Sequence, residues 1–79
     1  MSITVKYFGV IAEKTGITEE SLDLKATGSE IQSFKGYCVE KYKDIKGLTF
    51  QIAVNQVLTT EGVLKDGDEV ALLPPFSGG

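Results

Sequence analysis

The sequence contains no histidine and a single cysteine, and these two shortages exclude several kinds of chemistry. A zinc site needs several Cys or His ligands, and a Cys–His or Ser–His catalytic pair needs an imidazole, so neither can form within this chain. One cysteine also cannot form an internal disulfide, which fits a reducing compartment. We therefore expect a protein with no catalytic residue and no metal site of its own.

Long apolar runs and an excess of basic residues are missing as well. No apolar run approaches the length of a membrane span and the N-terminus lacks a signal-peptide pattern, so we expect a cytoplasmic protein that does not bind membranes. Lys and Arg total 8 against 11 Asp and Glu, which gives a net charge of −3. Nucleic-acid binding needs a basic stripe, so nucleic acid is not an expected partner. An acidic surface favours a partner protein with a basic docking face, although three charges also suit simple solubility.

What remains is a chain of 79 residues with 42% hydrophobic content, enough for one small domain with a modest core. Apolar residues alternate with polar ones in several short stretches, and this period predicts strands. We place the strands at 2–8, 18–24, 50–54, 57–58 and 69–73. Residues 9–15 predict a short helical turn that Gly16 closes. Asn55-Gln56 and the Asp-Gly pair within 65–68 predict tight turns between strands.

A main helix is predicted over residues 29–43. Its apolar stripe consists of Ile31, Phe34, Cys38 and Tyr42, which recur at helical spacing. Thr27 and Glu30 have the spacing of a capping box, and Ser29 is a competing N-cap. Gly36 lies inside the helix at a cost of about 1 kcal/mol relative to Ala, and the sequence offers no reason for it.

The order of elements is strand, strand, helix, strand, short strand, strand. The apolar stripe of the helix must be buried against one face of the sheet. The first and last strands can lie side by side and parallel, because the helix-bearing connection between the two hairpins permits a crossover. We therefore predict an α+β fold of the β-grasp type, with a mixed sheet that wraps one main helix. Residues 1–73 would form this domain, and residues 74–79 an extended tail.

The last residues combine two prolines with a Gly-Gly pair. Gly78 and Gly79 lack a Cβ, so their backbone can enter a slot too narrow for other residues, and a carboxylate on Gly79 is a group that an enzyme can adenylate without breaking the chain. The alternative is a frayed tail of small polar residues. Pro74 and Pro75 favour a polyproline II conformation, in which residues 74–79 reach roughly 19 Å and lose less entropy on threading into a partner. Alternatively, the prolines only stop the strand.

Other residues allow two interpretations each. Leu73 faces outward by alternation and Phe76 lies beyond the sheet, so both are candidates for partner docking, or else for a contact folded back onto the domain. Cys38 lies on the apolar stripe and is interpreted as a core residue, not as a sulfur relay. Asp66 and Asp68 flank Gly67 and suit a turn better than a metal site. The tyrosines have no base nearby in the sequence and are interpreted as packing residues: Tyr7, Tyr37 and Tyr42.

Three segments of the chain resemble a known family. The stretch from Leu64 to Gly79, with its Asp-Gly-Asp turn and its Pro-Pro-x-Ser-Gly-Gly ending, looks like the C-terminal signature of the small subunits of molybdopterin synthases, which are ubiquitin-like and carry sulfur. Residues 5–16 are similar to that family's first strand and short helix, and Ala53-Val54-Asn55 to the end of its third strand. The Pro-Pro-x-Ser-Gly-Gly ending discriminates best, since several sulfur-carrier families share the Gly-Gly pair. Many relatives carry an Arg where this chain has Val10-Ile11-Ala12, which we expect to affect a surface contact and not the chemistry.

The resemblance implies a carrier that is not an enzyme by itself and binds no cofactor. An E1-like enzyme would adenylate Gly79 with ATP, and attack by a persulfide from a sulfur-donor protein followed by S–S cleavage would leave a thiocarboxylate. Ser77 and Gly78 would let the tail thread into the large synthase subunit, in a heterotetramer of two small and two large subunits, where sulfur passes to a pterin precursor. Three alternatives stay open: the thiazole-forming carrier of thiamin synthesis, a ubiquitin-like modifier of lysines, and a plain β-grasp binding module.

Overall fold

The computed structural model describes residues 1–75 and contains a five-stranded sheet with its helices on one face. The strands are β1 Ser2–Tyr7, β2 Glu19–Asp23, β3 Gln51–Val54, β4 Val57–Leu58 and β5 Glu69–Leu73. The helices are α1 Gly9–Thr15, α2 Leu24–Thr27 and α3 Ile31–Lys41, and a single 3-10 turn spans Lys43–Ile45. Within the described residues, no helix is long and apolar enough to cross a membrane.

The strands lie in the order β2-β1-β5-β3-β4. The two central strands, β1 and β5, are parallel, with Val5 opposite Val70. All the other neighbouring strands are antiparallel, so β5 lies between the β1–β2 hairpin and the β3–β4 hairpin, parallel to β1 and antiparallel to β3. This is the predicted β-grasp fold, and the parallel pairing of the first and last strands is confirmed.

The core lies between the sheet and α3. Ile31, Phe34 and Cys38 are buried on the helix and pack with the inward residues of the central strands, which are Ile3, Val5, Tyr7, Val70 and Leu72. The stripe is therefore confirmed for its first three members. Tyr42 is half-buried and is the C-cap residue of α3, because the helix ends at Lys41, two residues before the predicted end.

The predictions for the segment between β2 and α3 were wrong. Leu24, the last residue of the predicted strand 18–24, is buried, but it begins the short helix α2 instead of ending a strand. The Asp23 carboxylate accepts a hydrogen bond of 2.9 Å from the backbone N–H of Lys25 and so caps that helix. A side-chain cap of this kind stabilises a helix start by about 1 kcal/mol. The helix therefore begins at Leu24, and the strand ends one residue earlier than predicted.

The predicted capping box also does not form. The Thr27 hydroxyl donates to the Gly28 carbonyl at 2.9 Å, and Glu30, the N-cap of α3, makes no side-chain capping bond. The first helical N–H, that of Ile31, instead donates to the carbonyl of Gly62 at 3.0 Å. The helix start is thus capped by a loop distant in sequence, which local spacing cannot reveal.

The predicted turns are confirmed. Gly16 ends α1 in the left-handed region with φ of 82°. Asn55 and Gln56 both have positive φ, of 49° and 72°, as a type I′ hairpin turn between β3 and β4 requires. The Asp68 N–H donates to the Lys65 carbonyl at 3.0 Å and closes the last turn before β5.

Candidate functional site

Strand β5 leads directly into the root of the predicted tail, which consists of Pro74 and Pro75. Leu73 is its last residue and pairs with Gln51 on β3, after which Pro74 is half-buried and Pro75 exposed. Because β5 lies between β1 and β3, the chain leaves the sheet at its centre and not along an edge. Phe76, Ser77, Gly78 and Gly79 lie outside the described residues, so their predicted roles stay predictions.

Gly9 lies directly beside this root. It follows β1, begins α1 and has φ of +56°, in the region that favours glycine. A Cβ added at Gly9 would lie only 2.9 Å from Cγ of Pro74. The neighbouring Phe8 N–H donates to the carbonyl of Leu72 at 3.2 Å and ties the two strand ends together. Sequence reasoning gave Gly9 no role; the available signal was a glycine placed immediately after the first strand.

The sheet face opposite α3 forms a shallow apolar groove of about 450 Å³ next to the tail root. Its floor is built by strand register, which aligns Ala71 with Ala53 and Ala53 with Leu58 across the sheet. The two alanines leave room where larger side chains would fill the face. Phe8 and Leu73 line the same groove.

Several apolar side chains of this groove are exposed. Phe8 is 43% and Leu58 56% exposed, while Leu73 is half-buried on the outer face. Apolar side chains clustered on a surface mark an interaction site more often than single ones do. Leu73 therefore lies in the groove, and its docking role stays a prediction. Phe8 and Leu58 are groove residues that sequence reasoning did not single out. The signal for Phe8 is its place in the predicted strand 2–8, where alternation puts it on the face opposite Val5 and Tyr7.

The polar rim of the groove is largely neutralised within the protein. Lys6 Nζ lies 3.2 Å from Oε1 of Glu69, and both side chains are partly exposed. An exposed ion pair of this kind contributes about 0–1 kcal/mol to stability, so a partner can separate it at little cost. The groove thus offers an apolar floor, one cation and one anion.

Away from the groove, Glu20 on β2 organises a polar cluster that the sequence did not predict. Its Oε2 accepts hydrogen bonds from the hydroxyls of Tyr7, at 2.5 Å, and Tyr42, at 2.6 Å. Its Oε1 accepts from Lys41 Nζ at 3.0 Å. The rings of Tyr7 and Tyr42 meet edge to face with centroids 5.7 Å apart. The two tyrosines therefore pack as expected, but they also have an acceptor close by in space.

The charges of this cluster stabilise one protonation state. Burial on its own raises the pKa of Glu20, but the hydrogen bonds from the two tyrosines and Lys41 outweigh it, so the pKa lies below its usual range. Burial, together with the hydrogen bond to Glu20, raises the pKa of Tyr7 well above that of a free phenol. The carboxylate is thus ionised and the hydroxyls protonated at neutral pH. The cluster joins β1, β2 and the end of α3, and suits structure better than proton transfer.

Cys38 is poorly placed for sulfur chemistry. It is fully buried on α3, and burial, with a smaller contribution from the Glu20 charge, raises the pKa of its thiol to about 12. The thiolate is the reactive form of cysteine, so a protonated, inaccessible thiol is inert. These observations support core packing and not a sulfur relay.

The acidic residues around Gly67 hold the last turn. Asp68 Oδ2 accepts from the Lys65 N–H at 2.9 Å and its Oδ1 from Asn55 Nδ2 at 3.0 Å, and these bonds lower the pKa of Asp68. Asp66 Oδ1 accepts from the Ser2 N–H at 2.8 Å. Across residues 1–75, no group of three or more His, Cys, Asp or Glu side chains is arranged to hold a metal ion. The turn interpretation of Asp66 and Asp68 is confirmed.

Comparison with known proteins finds relatives along the whole chain. A model described as the ThiS family matches residues 5–79. The molybdopterin synthase sulfur carrier subunit of Chlamydomonas reinhardtii is 32% identical over 84 aligned positions, covering 100% of both chains. The protein of the same name from Mycobacterium tuberculosis is 30% identical and covers 100% of this chain and 99% of its own.

Solved structures agree on the fold. A putative molybdopterin converting factor subunit 1 from Pyrococcus furiosus superposes with a TM-score of 0.85 at 24% identity, covering 96% of this chain and 99% of that one. The small archaeal modifier protein 1 of Methanosarcina acetivorans gives a TM-score of 0.80 at 26% identity, with 99% and 96% covered. A complex of subunits 1 and 2 of the molybdopterin-converting factor from Helicobacter pylori gives 0.69 at 25% identity, with 100% of both chains covered.

Proposed function

Because this chain belongs to the ThiS family, we propose that it is the sulfur carrier subunit of a molybdopterin synthase. The observation that carries this proposal is the similarity to two sulfur carrier subunits over the entire chain, residues 74–79 included. Those relatives favour the molybdenum pathway over the thiazole-forming alternative. Residues 1–73 would act as the folded body, in the cytoplasm, and residues 74–79 as the reacting arm.

The chemistry proposed for the arm needs no side chain of this protein. A partner enzyme joins the Gly79 carboxylate to the AMP moiety of ATP and releases pyrophosphate, which converts a poor electrophile into an acyl-adenylate. A persulfide on a donor protein attacks the acyl carbon and AMP leaves. A second thiol then cleaves the S–S bond, so that the arm keeps one sulfur as a thiocarboxylate and the two thiols end as a disulfide. The domain binds no cofactor in this scheme and is not an enzyme by itself.

The apolar groove supplies the proposed docking surface for the large synthase subunit. In the Helicobacter pylori structure, a protein of this fold forms a complex with a second subunit. The exposed Phe8 and Leu58, together with Leu73, lie beside the point where the arm leaves β5, so a partner seated there would receive the arm directly. We extend docking to Phe76, and we propose two small and two large subunits in the assembly. An E1-like enzyme and a sulfur donor are the further partners.

A second candidate function is supported by one finding. The small archaeal modifier protein 1 of Methanosarcina acetivorans shares this fold, with a TM-score of 0.80 at 26% identity. A modifier and a carrier share the first step, adenylation of the terminal glycine, and differ in the nucleophile that follows. A sulfur nucleophile yields a thiocarboxylate, whereas a lysine amine yields an isopeptide bond.

The test is the intact mass of the protein after incubation with ATP, an adenylating enzyme of the same organism and a sulfur source. Exchange of one oxygen for sulfur supports a carrier, and adducts on lysines of other proteins support a modifier. Deletion of Gly79 shortens the arm by about 3 Å, and Gly78→Val puts a branched side chain where bare backbone is needed. Both variants should fold normally by circular dichroism yet fail to form thiocarboxylate.

The matched control is Gly36→Ala, which changes an exposed glycine on α3 instead of one in the arm. It should be sulfurated at the wild-type rate. Sulfuration of either arm variant at near the normal rate would contradict the carrier proposal.

A further inference from the structure

We propose that Gly9 is a positioning residue that fixes the direction in which the arm leaves the sheet, an inference that rests on the proposed function. Gly9 belongs to α1 and lies far from the arm in sequence, but Pro74 packs directly over it. Because Gly9 has no side chain, the ring of Pro74 can lie directly against it at the start of the arm.

The contact leaves no room for a side chain. A Cβ at Gly9 would lie 2.9 Å from Pro74 Cγ, 3.6 Å from its Cδ and 4.0 Å from its Cβ. Carbon atoms in favourable contact lie about 3.5–4.0 Å apart, so the proline ring would have to move by roughly 0.6–1.1 Å. The ring is closed onto its own backbone, so beyond a change of ring pucker Cγ cannot move without the backbone of Pro74.

The hydrogen bonds of β5 determine which atoms would move to relieve this contact. On the sheet side, Leu72 accepts a hydrogen bond from the Phe8 N–H, and Leu73 is paired with Gln51. These bonds hold β5 up to its last residue. The displacement therefore passes into Pro74 and Pro75, and the arm starts in a different direction.

A changed direction of the arm should lower the rate of thiocarboxylate formation more than it weakens binding to the enzyme. The groove, which we take to be the docking surface for the adenylating enzyme as well as for the large subunit, is lined by residues of the sheet and by Phe8, which a shift of Pro74 leaves in place. The reacting carboxylate, in contrast, must meet the adenylating centre, and a misplacement of 1 Å can cost about a hundredfold in rate. We expect kcat for thiocarboxylate formation to fall about ten- to hundredfold in Gly9→Ala, with KM for the carrier unchanged.

Gly16→Ala is the matched control for backbone strain. Gly9 and Gly16 are the first residue and the C-cap of α1, and both have positive φ, of 56° and 82°. A Cβ at Gly16 meets nothing within 4 Å, whereas one at Gly9 meets Pro74. Both variants carry the penalty of an L-residue in the left-handed region, and only Gly9→Ala displaces the arm.

The experiment compares the wild type, Gly9→Ala, Gly16→Ala, Pro74→Ala and the double variant Gly9→Ala/Pro74→Ala. Melting temperatures are measured first, and kcat and KM are then followed by mass spectrometry with ATP, the adenylating enzyme and sodium sulfide. Sulfide attacks the acyl-adenylate directly and releases AMP, so no reductant is needed. Alanine at 74 lacks Cγ, so the double variant should react at the rate of Pro74→Ala alone. In the wild-type protein, a nuclear Overhauser effect should connect a Gly9 Hα with Pro74 Hγ.

Three outcomes would overturn the inference. The first is that Gly9→Ala reacts as fast as Gly16→Ala, the second that it stays slow after Pro74→Ala removes the ring, and the third that the Gly9–Pro74 Overhauser effect is absent. A wild-type protein that gains no sulfur overturns the proposed function itself and this inference with it. Normal sulfuration of the wild type with equal rates in the two glycine variants overturns the positioning role alone.

Discussion

Replacing Glu20 by Gln changes one atom of the cluster that joins β1, β2 and the end of α3. Glu20 Oε2 accepts from the hydroxyls of Tyr7 and Tyr42, and Oε1 accepts from Lys41. A glutamine can keep its amide oxygen toward the tyrosines, with its NH₂ group toward Lys41. Both tyrosine hydroxyls then remain satisfied, and the variant removes the charge without leaving the buried Tyr7 unpaired.

The magnitude follows from the difference between charged and neutral hydrogen bonds. A hydrogen bond to a charged group contributes about 1.5–3 kcal/mol and a neutral one about 0.5–1.5 kcal/mol, so each tyrosine bond weakens by about 1 kcal/mol. The partly exposed pair with Lys41 adds about 0–1 kcal/mol. Glu20→Gln should therefore lower the free energy of unfolding by roughly 2–3 kcal/mol at pH 7.

The loss should depend on pH with a definite sign. The pKa of Glu20 in the folded protein is lowered from its ordinary value, because the bonds from the tyrosines and Lys41 outweigh the effect of burial. A lowered carboxyl pKa stabilises the fold above the unfolded pKa, about 4.3, and this stabilisation is lost as the pH falls through the folded pKa. The difference between wild type and Glu20→Gln should thus be constant from about pH 6 to 8 and shrink below about pH 4.

Urea denaturation between pH 3 and pH 8 measures this difference, and Glu19→Gln is the matched control. Glu19 is the neighbouring residue on β2 but is exposed, so the same substitution there should change stability by no more than about 0.5 kcal/mol. The reasoning fails if Glu20→Gln and Glu19→Gln unfold at the same urea concentration at pH 7. It fails equally if the effect of Glu20→Gln does not diminish on acidification.

Three further predictions test the core, the groove and the helix. Phe34→Ala removes a fully buried ring and should cost about 3–5 kcal/mol in urea melts, and a loss below about 1 kcal/mol would show that the stripe is not the core. Phe8→Ala and Phe76→Ala should leave the melting temperature nearly unchanged and weaken binding to the large subunit by about 1 kcal/mol or more in calorimetry, whereas a large stability loss with unchanged affinity would assign them to the fold. Gly36→Ala should raise stability by about 0.4–1 kcal/mol, because a Cβ there meets nothing within 4 Å, and a destabilised variant would point to an unrecognised contact.

The fold was predictable because its signals are local and repeated. Period-two alternation in the predicted strands 2–8 and 69–73 separates Val5 from Lys6 and Val70 from Ala71, and the structure has both valines inward and Lys6 and Ala71 on the outer face. The turns after β3 and before β5 carry residue types that few other conformations favour. What failed was the segment 24–30, where the cap of α3 comes from the Gly62 carbonyl. A cap supplied across the fold leaves no trace in the spacing of neighbouring residues.

For the candidate site, the sequence carries a local signal for the arm but none for its surroundings. The Gly-Gly pair and the prolines are a local pattern, whereas the groove exists only because strand register aligns Ala53 with Ala71 and places Phe8 nearby. The contact of Gly9 with Pro74 likewise joins residues from opposite ends of the chain. Such neighbours follow from the parallel pairing of β1 and β5, and a single sequence does not reveal their distances.

The alternation along β5 lets one strand serve folding and the proposed docking at the same time. Val70 and Leu72 are completely buried against the helix, whereas Ala71 and Leu73 line the groove on the other face. Because adjacent residues point in opposite directions, docking residues can change without a loss of core packing. The core residues hold the strand that carries the arm, so a destabilised core displaces the arm even when the groove is intact. Substitutions at 71 and 73 should therefore alter affinity alone, while those at 70 and 72 should alter stability and sulfur transfer together.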